Sequence, residues 1–137
     1  MRRFGTFALI LFAASAAEAQ TPAPNSPANE LLRKKNDAAP LKARAIGFYS
    51  KGCLAGGVAL PVNGQTWQVM RLSRNRNWGH PDLISFLERF ATSVPKVAGW
   101  NGILVGDLAQ PRGGPMLTRN ASHQVGLDAD VWLTPMP

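Results

Sequence analysis

Asn120-Ala-Ser-His-Gln-Val-Gly-Leu-Asp-Ala-Asp130 sets an imidazole, His123, seven residues ahead of a carboxylate, Asp130, with Gly126 between them. A bend at the glycine would return the backbone so that both side chains reach one ion. Zinc takes His nitrogen and Asp oxygen, and a catalytic zinc uses three protein ligands plus an open position for water. The motif supplies two of the three, and no catalytic base can be assigned from it. The competing reading of His123 is a loop histidine bonded to backbone; spacing by itself leaves both open.

Outward from the motif, Asp128 to Leu133 reads as a strand with Asp128, Asp130 and Trp132 on one face and Ala129, Val131 and Leu133 packed inward. Asp128 is then either a carboxylate that orients a metal ligand or a solvated edge residue. Ser122 has no Gly-x-Ser-x-Gly surroundings, which argues against a serine nucleophile. Upstream, Ile103 to Leu108 is a short apolar strand, followed by a loop at Pro111, Gly113, Gly114 and Pro115. Pro81 and Asp82 open a helix expected to run to Ser93, with Leu83, Leu87, Phe90 and Val94 on one stripe. His80 reads as a helix-entry or packing residue in preference to a metal ligand. Asn63-Gly64 is a hairpin signal that would pair Val58–Leu60 with Thr66–Leu72, where Trp67 and Val69 share one face.

The N-terminus addresses the compartment. Arg2 and Arg3, the apolar run Phe4 to Ala14 and the small-x-small site Ala17-Glu18-Ala19 read as a secretory signal peptide over residues 1–19. The apolar run is too short to span a bilayer. Residues 20–45 read as a flexible Pro/Ala-rich linker, with a short helix near Asn29 to Lys35, and residues 46–137 as the folded part. A folded part this small is marginal in the surface it can bury, and an unpaired Asp128–Leu133 edge would invite aggregation. Removing Arg2, Arg3 and Glu18 takes the formal charge from +7 to +6. The basic residues are scattered and no nucleic-acid motif occurs, so no nucleic-acid partner is expected. The charge suits an acidic wall polymer or serves only solubility. Cys53 is the sole cysteine; in an exported protein it implies a free thiol, an intermolecular pair or a lost partner.

Five blocks occur in one order: Gly47-Phe-Tyr-Ser-Lys-Gly-Cys53, Trp67-Gln-Val-Met-Arg71, Gly79-His-Pro-Asp-Leu83, Val105-Gly-Asp107 and Ala121-Ser-His-Gln-Val-Gly-Leu-Asp-Ala-Asp130. From about Ala45 to Pro137 they resemble the penicillin-insensitive murein endopeptidase family of LAS-type metallopeptidases, over the N-terminal half or less of such enzymes. The resemblance implies a periplasmic zinc endopeptidase that cuts D-alanyl–diaminopimelyl cross-links of peptidoglycan, with His123 and Asp130 as zinc ligands. It implies a further ligand and the catalytic base in a downstream His-x-His segment, which this sequence lacks, and partner cysteines for Cys53 further along. Asn120 stands where the family tends to have a histidine, and a neutral amide oxygen is a poor zinc ligand. The implied fold is α+β, an antiparallel sheet with packed helices, LAS-peptidase-like and cut short at the C-terminus. On that reading the chain as it stands is not expected to hydrolyse murein. The alternative is a non-catalytic secreted protein that at most binds wall polymer.

Overall fold

His80-Pro81-Asp82 does what its residue types dictate. His80 is extended (φ −60°, ψ 141°), its Nδ1 accepts from the Asp82 amide at 3.3 Å, and Pro81 takes the first helical position, where no N–H is needed. The computed structural model describes residues 27–117 and 121–137. In chain order these form α1 (Pro27–Arg33), β1 (Arg44–Phe48), β2 (Lys51–Ala55), β3 (Val58–Ala59), β4 (Trp67–Val69), β5 (Trp78–Gly79), α2 (Pro81–Ala98), β6 (Ile103–Val105) and β7 (Val131–Pro135). The expected signal peptide, the start of the linker and Asn120 lie outside the described residues.

Helix α2 runs past the expected end at Ser93. Pro95 removes only the bond that would return to the Ala91 carbonyl, and the helix stops at Gly99, whose φ of 69° forms the left-handed cap. Its buried stripe is Ile84, Leu87, Ala91 and Val94. Leu87 and Val94 match the expected stripe, Leu83 is only half-buried, and Phe90 points outward and stacks on Phe86 with centroids 6.0 Å apart. The 3.6-residue period carries the true stripe one residue further round.

The sheet pairings depart from the expected ones. β3 pairs with β5 and not with Thr66–Leu72. The Asn63-Gly64 turn does form, held by Gly64 N–H to the Trp67 carbonyl (2.9 Å), Val69 N–H to the Val62 carbonyl (2.8 Å) and the Trp67 indole N–H to the Pro61 carbonyl (3.0 Å). Among the described residues the largest sheet is β4-β6-β7, and β4 runs parallel to β6 while β7 is antiparallel. The fold is α+β, with mixed rather than purely antiparallel pairing. Parallel β4 and β6 are joined by α2, as such a crossover requires. That brings Leu60, Val69, Ile103, Val105 and Leu108 against the α2 stripe in one core.

β7 begins at Val131, not Asp128, because the preceding residues are held in a loop by side-chain bonds described below. Val131 and Ala129 pack against the core as expected, whereas Leu133 is 94% exposed. A register shift between Ile103 and Leu104 breaks the inward alternation along β7. Arg71 lies over the Trp132 ring at 5.4 Å and covers that end of the strand. The segment read as linker also contributes structure: Asn29 on α1 is 2% exposed, and the Arg112 guanidinium donates to the Asp37 carboxylate at 3.3 Å.

Candidate metal-ligand site

The loop from Ala121 to Asp130 is fixed at three points. Gln124, 2% exposed, donates from Nε2 to the carbonyls of Ser50 (2.9 Å) and Ala121 (3.3 Å), and its Oε1 accepts from the Gly52 amide at 3.2 Å. One buried amide thus ties the loop to the turn of the β1–β2 hairpin. Gly126, with φ of 69°, gives its carbonyl to the His80 amide at 2.8 Å. A Cβ there would stand 2.7 Å from Leu54 Cδ2 and 3.2 Å from the His80 nitrogen, so only glycine fits the bend. At the far end Asp130 donates its amide to the Asp107 carbonyl (2.9 Å) and accepts from the Gly106 amide (2.8 Å).

These restraints bring His123 and Asp130 together. His123 is 3% exposed and left-handed at φ 67°, a conformation uncommon for a residue with a Cβ. Asp128 holds it there. Both carboxylate oxygens accept from the His123 amide, at 3.1 and 3.2 Å, and Oδ2 lies 2.8 Å from Nδ1. That last contact is off the ring N–H direction, so it acts mainly as charge on charge. The other ring nitrogen, Nε2, is 3.5 Å from Asp130 Oδ1. Two donors of one tetrahedral zinc, each bonded at about 2.0–2.2 Å, stand about 3.3–3.6 Å apart. The two atoms therefore fit neighbouring corners of one coordination sphere, and Asp128 occupies the place of the carboxylate that orients a ligating imidazole. Asp128 thus engages the His123 amide and stands beside its ring while its own side chain stays 40% exposed. Among the described residues no three His, Cys, Asp or Glu side chains converge as a metal cage.

Burial opposes the charged forms of both His123 and Asp128, but each supplies the other with a counter-charge. The Asp128 contact, with a smaller contribution from Asp130, raises the His123 pKa above 6.5; contact with His123, with help from Ser122, lowers that of Asp128 below 3.8. A raised histidine pKa gives stability that is complete below the unfolded value and is lost as pH rises through the folded one. A lowered aspartate pKa gives stability present above the unfolded value and lost as pH falls through the folded one. In the metal-free protein the pair should stabilise the fold most between about pH 4 and 6.5. The urea-midpoint gap between the parent and Asp128→Asn should peak near pH 5–6 and narrow above it. A gap constant from pH 5 to 9 would rule out an ionic pair.

The other candidates are placed elsewhere or differently engaged. His80 caps α2 as expected, with Asp82 Oδ2 3.4 Å from its Nδ1. Ser122 stands beside Asp128 and helps lower its pKa. Cys53, half-buried on β2, is a free thiol.

The sequence reading missed Asp107. It is 2% exposed, and its Oδ2 accepts from Arg74 at 2.7 Å and Arg76 at 3.0 Å while its backbone holds Asp130. A lone acid closing an apolar run, with two arginines two residues apart upstream, was the available signal. Beside Asp128, on the other flank, lies an open apolar cavity of about 400 Å³ whose lining includes Phe48, Tyr49, Val125 and Leu127.

Residues 45–137 match the family model described as penicillin-insensitive murein endopeptidase. The chain belongs to that family. The match covers the same stretch as the five ordered sequence blocks. A penicillin-insensitive murein endopeptidase of Haemophilus influenzae is 53% identical over 92 residues, which is 67% of this chain and 32% of that protein. Proteins of the same name from Citrobacter koseri and Escherichia coli are each 38% identical, over 133 and 125 residues, covering 45% and 42% of their lengths. The chain thus spans about a third to less than half of the curated murein endopeptidases it matches.

Proposed function

We propose that this chain carries part of the catalytic site of a zinc-dependent endopeptidase acting on peptidoglycan. The observation that supports it most is the 3.5 Å approach of His123 Nε2 to Asp130 Oδ1, with Asp128 at the opposite ring nitrogen. In this reading His123 and Asp130 hold the ion, and Asp128 keeps the imidazole turned so that Nε2 faces it. Gly126 and Gln124 keep the loop from relaxing. The chemistry a zinc supplies in such a site is Lewis-acid polarisation of a scissile carbonyl and of water. Two donors are one short of the usual three. The remaining ligand and the general base are assigned to a His-x-His segment of the longer family fold.

The bond cut is proposed to be the D-alanyl–diaminopimelyl cross-link. The apolar cavity beside Asp128 suits the uncharged stretch of a peptide lying across the site. Arg2, Arg3, the apolar run after them and Ala17-x-Ala19 support export to the periplasm, where Cys53 would meet oxidising conditions and a partner thiol. Mature protein beginning at Gln20 by mass spectrometry is the expected result; retention of Met1 to Ala19 would refute export.

The catalytic proposal is tested by joining this chain to the remaining part of the Haemophilus influenzae relative. One zinc per molecule and cleavage of purified cross-linked muropeptides are expected. Absence of stoichiometric zinc in a folded, joined protein would overturn the metal assignment. Cleavage that survives complete zinc removal would overturn the zinc mechanism.

A further inference from the structure

Arg74 and Arg76, which hold Asp107, line a cavity of about 310 Å³ that nothing above uses. Two separate stretches of chain converge on it: Arg33 and Lys35 from the end of α1, and Arg74 and Arg76 from the turn after β4. Its remaining lining includes the polar side chains of Asn36, Ser73, Asn75 and Gln110, and no acidic residue lines it. Asp107, behind the arginines, offsets one of the four positive charges. Asp37, next in sequence to the lining, is already engaged by Arg112. Cations from distant parts of a chain repel one another when gathered around a concavity. An anion that enters relieves this, and a concave wall of one sign concentrates such ligands.

We propose that this cavity is a subsite for a carboxylate-bearing peptide, bound by Arg33, Lys35 and Arg74. Arg74 is fixed by Asp107 through one terminal nitrogen, and its side chain remains 36% exposed at the cavity. Arg33 and Lys35 are exposed and close the opposite wall. Planar guanidinium groups recognise carboxylates through paired N–H donors, which a point charge does not do. Arg74 and Arg76 each spend one terminal nitrogen on the same Asp107 oxygen, Oδ2. Asp107 links the two regions, since its side chain orders Arg74 and Arg76 while its carbonyl holds the Asp130 amide. The identity of the peptide rests on the peptidoglycan reading: a wall stem peptide carries free carboxylates that the scissile bond does not consume.

Binding is measured by calorimetry with the mature chain freed of metal on a chelating resin, so that neither zinc nor turnover contributes and no carboxylate competes. The probes are an acidic murein stem tetrapeptide and the same peptide with its carboxylates amidated. The acidic peptide is expected to bind at least about tenfold more tightly than the amidated one. Arg33→Gln with Lys35→Gln, both at exposed positions that leave the fold intact, should remove that preference. Rising salt should weaken only the acidic peptide. Equal binding of the two peptides, or an unchanged preference in the double variant, would overturn the subsite. Displacement of the peptide by inorganic phosphate at equal concentration would overturn the carboxylate assignment in favour of a general anion site. Failure of the zinc reading leaves this result untouched, because no arm of the experiment depends on metal.

Discussion

Asp130→Ala is expected to weaken zinc binding by more than about 100-fold while leaving the stability of the metal-free fold close to the parent's. The magnitude follows from position: loss of a group that merely supports a ligand already costs about 10–100-fold, and Asp130 Oδ1 is proposed as a ligand itself. The unchanged stability follows from how Asp130 is built in. Its side chain is 54% exposed, and what ties it to the fold is its backbone, through the Asp107 carbonyl and the Gly106 amide. Alanine retains both bonds. Chelator-competition titration of the joined protein, run beside urea unfolding, separates the two quantities. An affinity within threefold of the parent would show that Asp130 is not a ligand. His123→Ala should lose zinc as well, but it also strands the buried Asp128 contact and should lower the urea midpoint. Asp128→Asn should fall between them, with metal still bound but less tightly.

Asp107→Ala is expected to destabilise the protein by about 3–5 kcal/mol, toward the lower end because Arg74 is partly hydrated. Asp107 is 2% exposed and the Arg76 side chain only 10%, so removing the carboxylate leaves guanidinium charge gathered in a poorly hydrated place. The loss comes from the stranded charges more than from the attraction itself. The triple variant Asp107→Leu, Arg74→Met and Arg76→Met should therefore recover much of it. Urea unfolding at pH 7 measures both. A loss below about 1 kcal/mol for the single variant would mean that solvent reaches the pair.

Local signals in the sequence were reliable where the physics is local. His80, Pro81 and Asp82 specify a helix start, because caps satisfy groups within one turn, whereas the end at Gly99 lies past the Ser93 expected from the sequence. The Gly126 bend uses the left-handed conformation that glycine adopts without strain. The spacing of His123 and Asp130 around Gly126 was legible for the same reason, and the structure brings the pair to 3.5 Å.

Strand partners were not legible. β3 and β5 lie nearly twenty residues apart, and β4 finds β6 only across α2. A strand's periodicity says which face is apolar but not which edge it joins, so β3 was assigned to the nearest strand in sequence. Leu133 shows the same limit. Alternation placed it inward, but Leu133 falls among the extra residues that β7 inserts between its pairings with Leu104 and Ile103, and it faces solvent. The role of Asp128 also belongs to the tertiary structure: its carboxylate meets both the amide and the ring of His123 because Gln124 and Gly126 have already bent the loop. Asp107 is the clearest case. Nothing next to it in sequence reveals that two arginines some thirty residues earlier arrive at its carboxylate. A buried charge is tolerated only where the whole fold delivers its partners, and that delivery is what the tertiary structure decided.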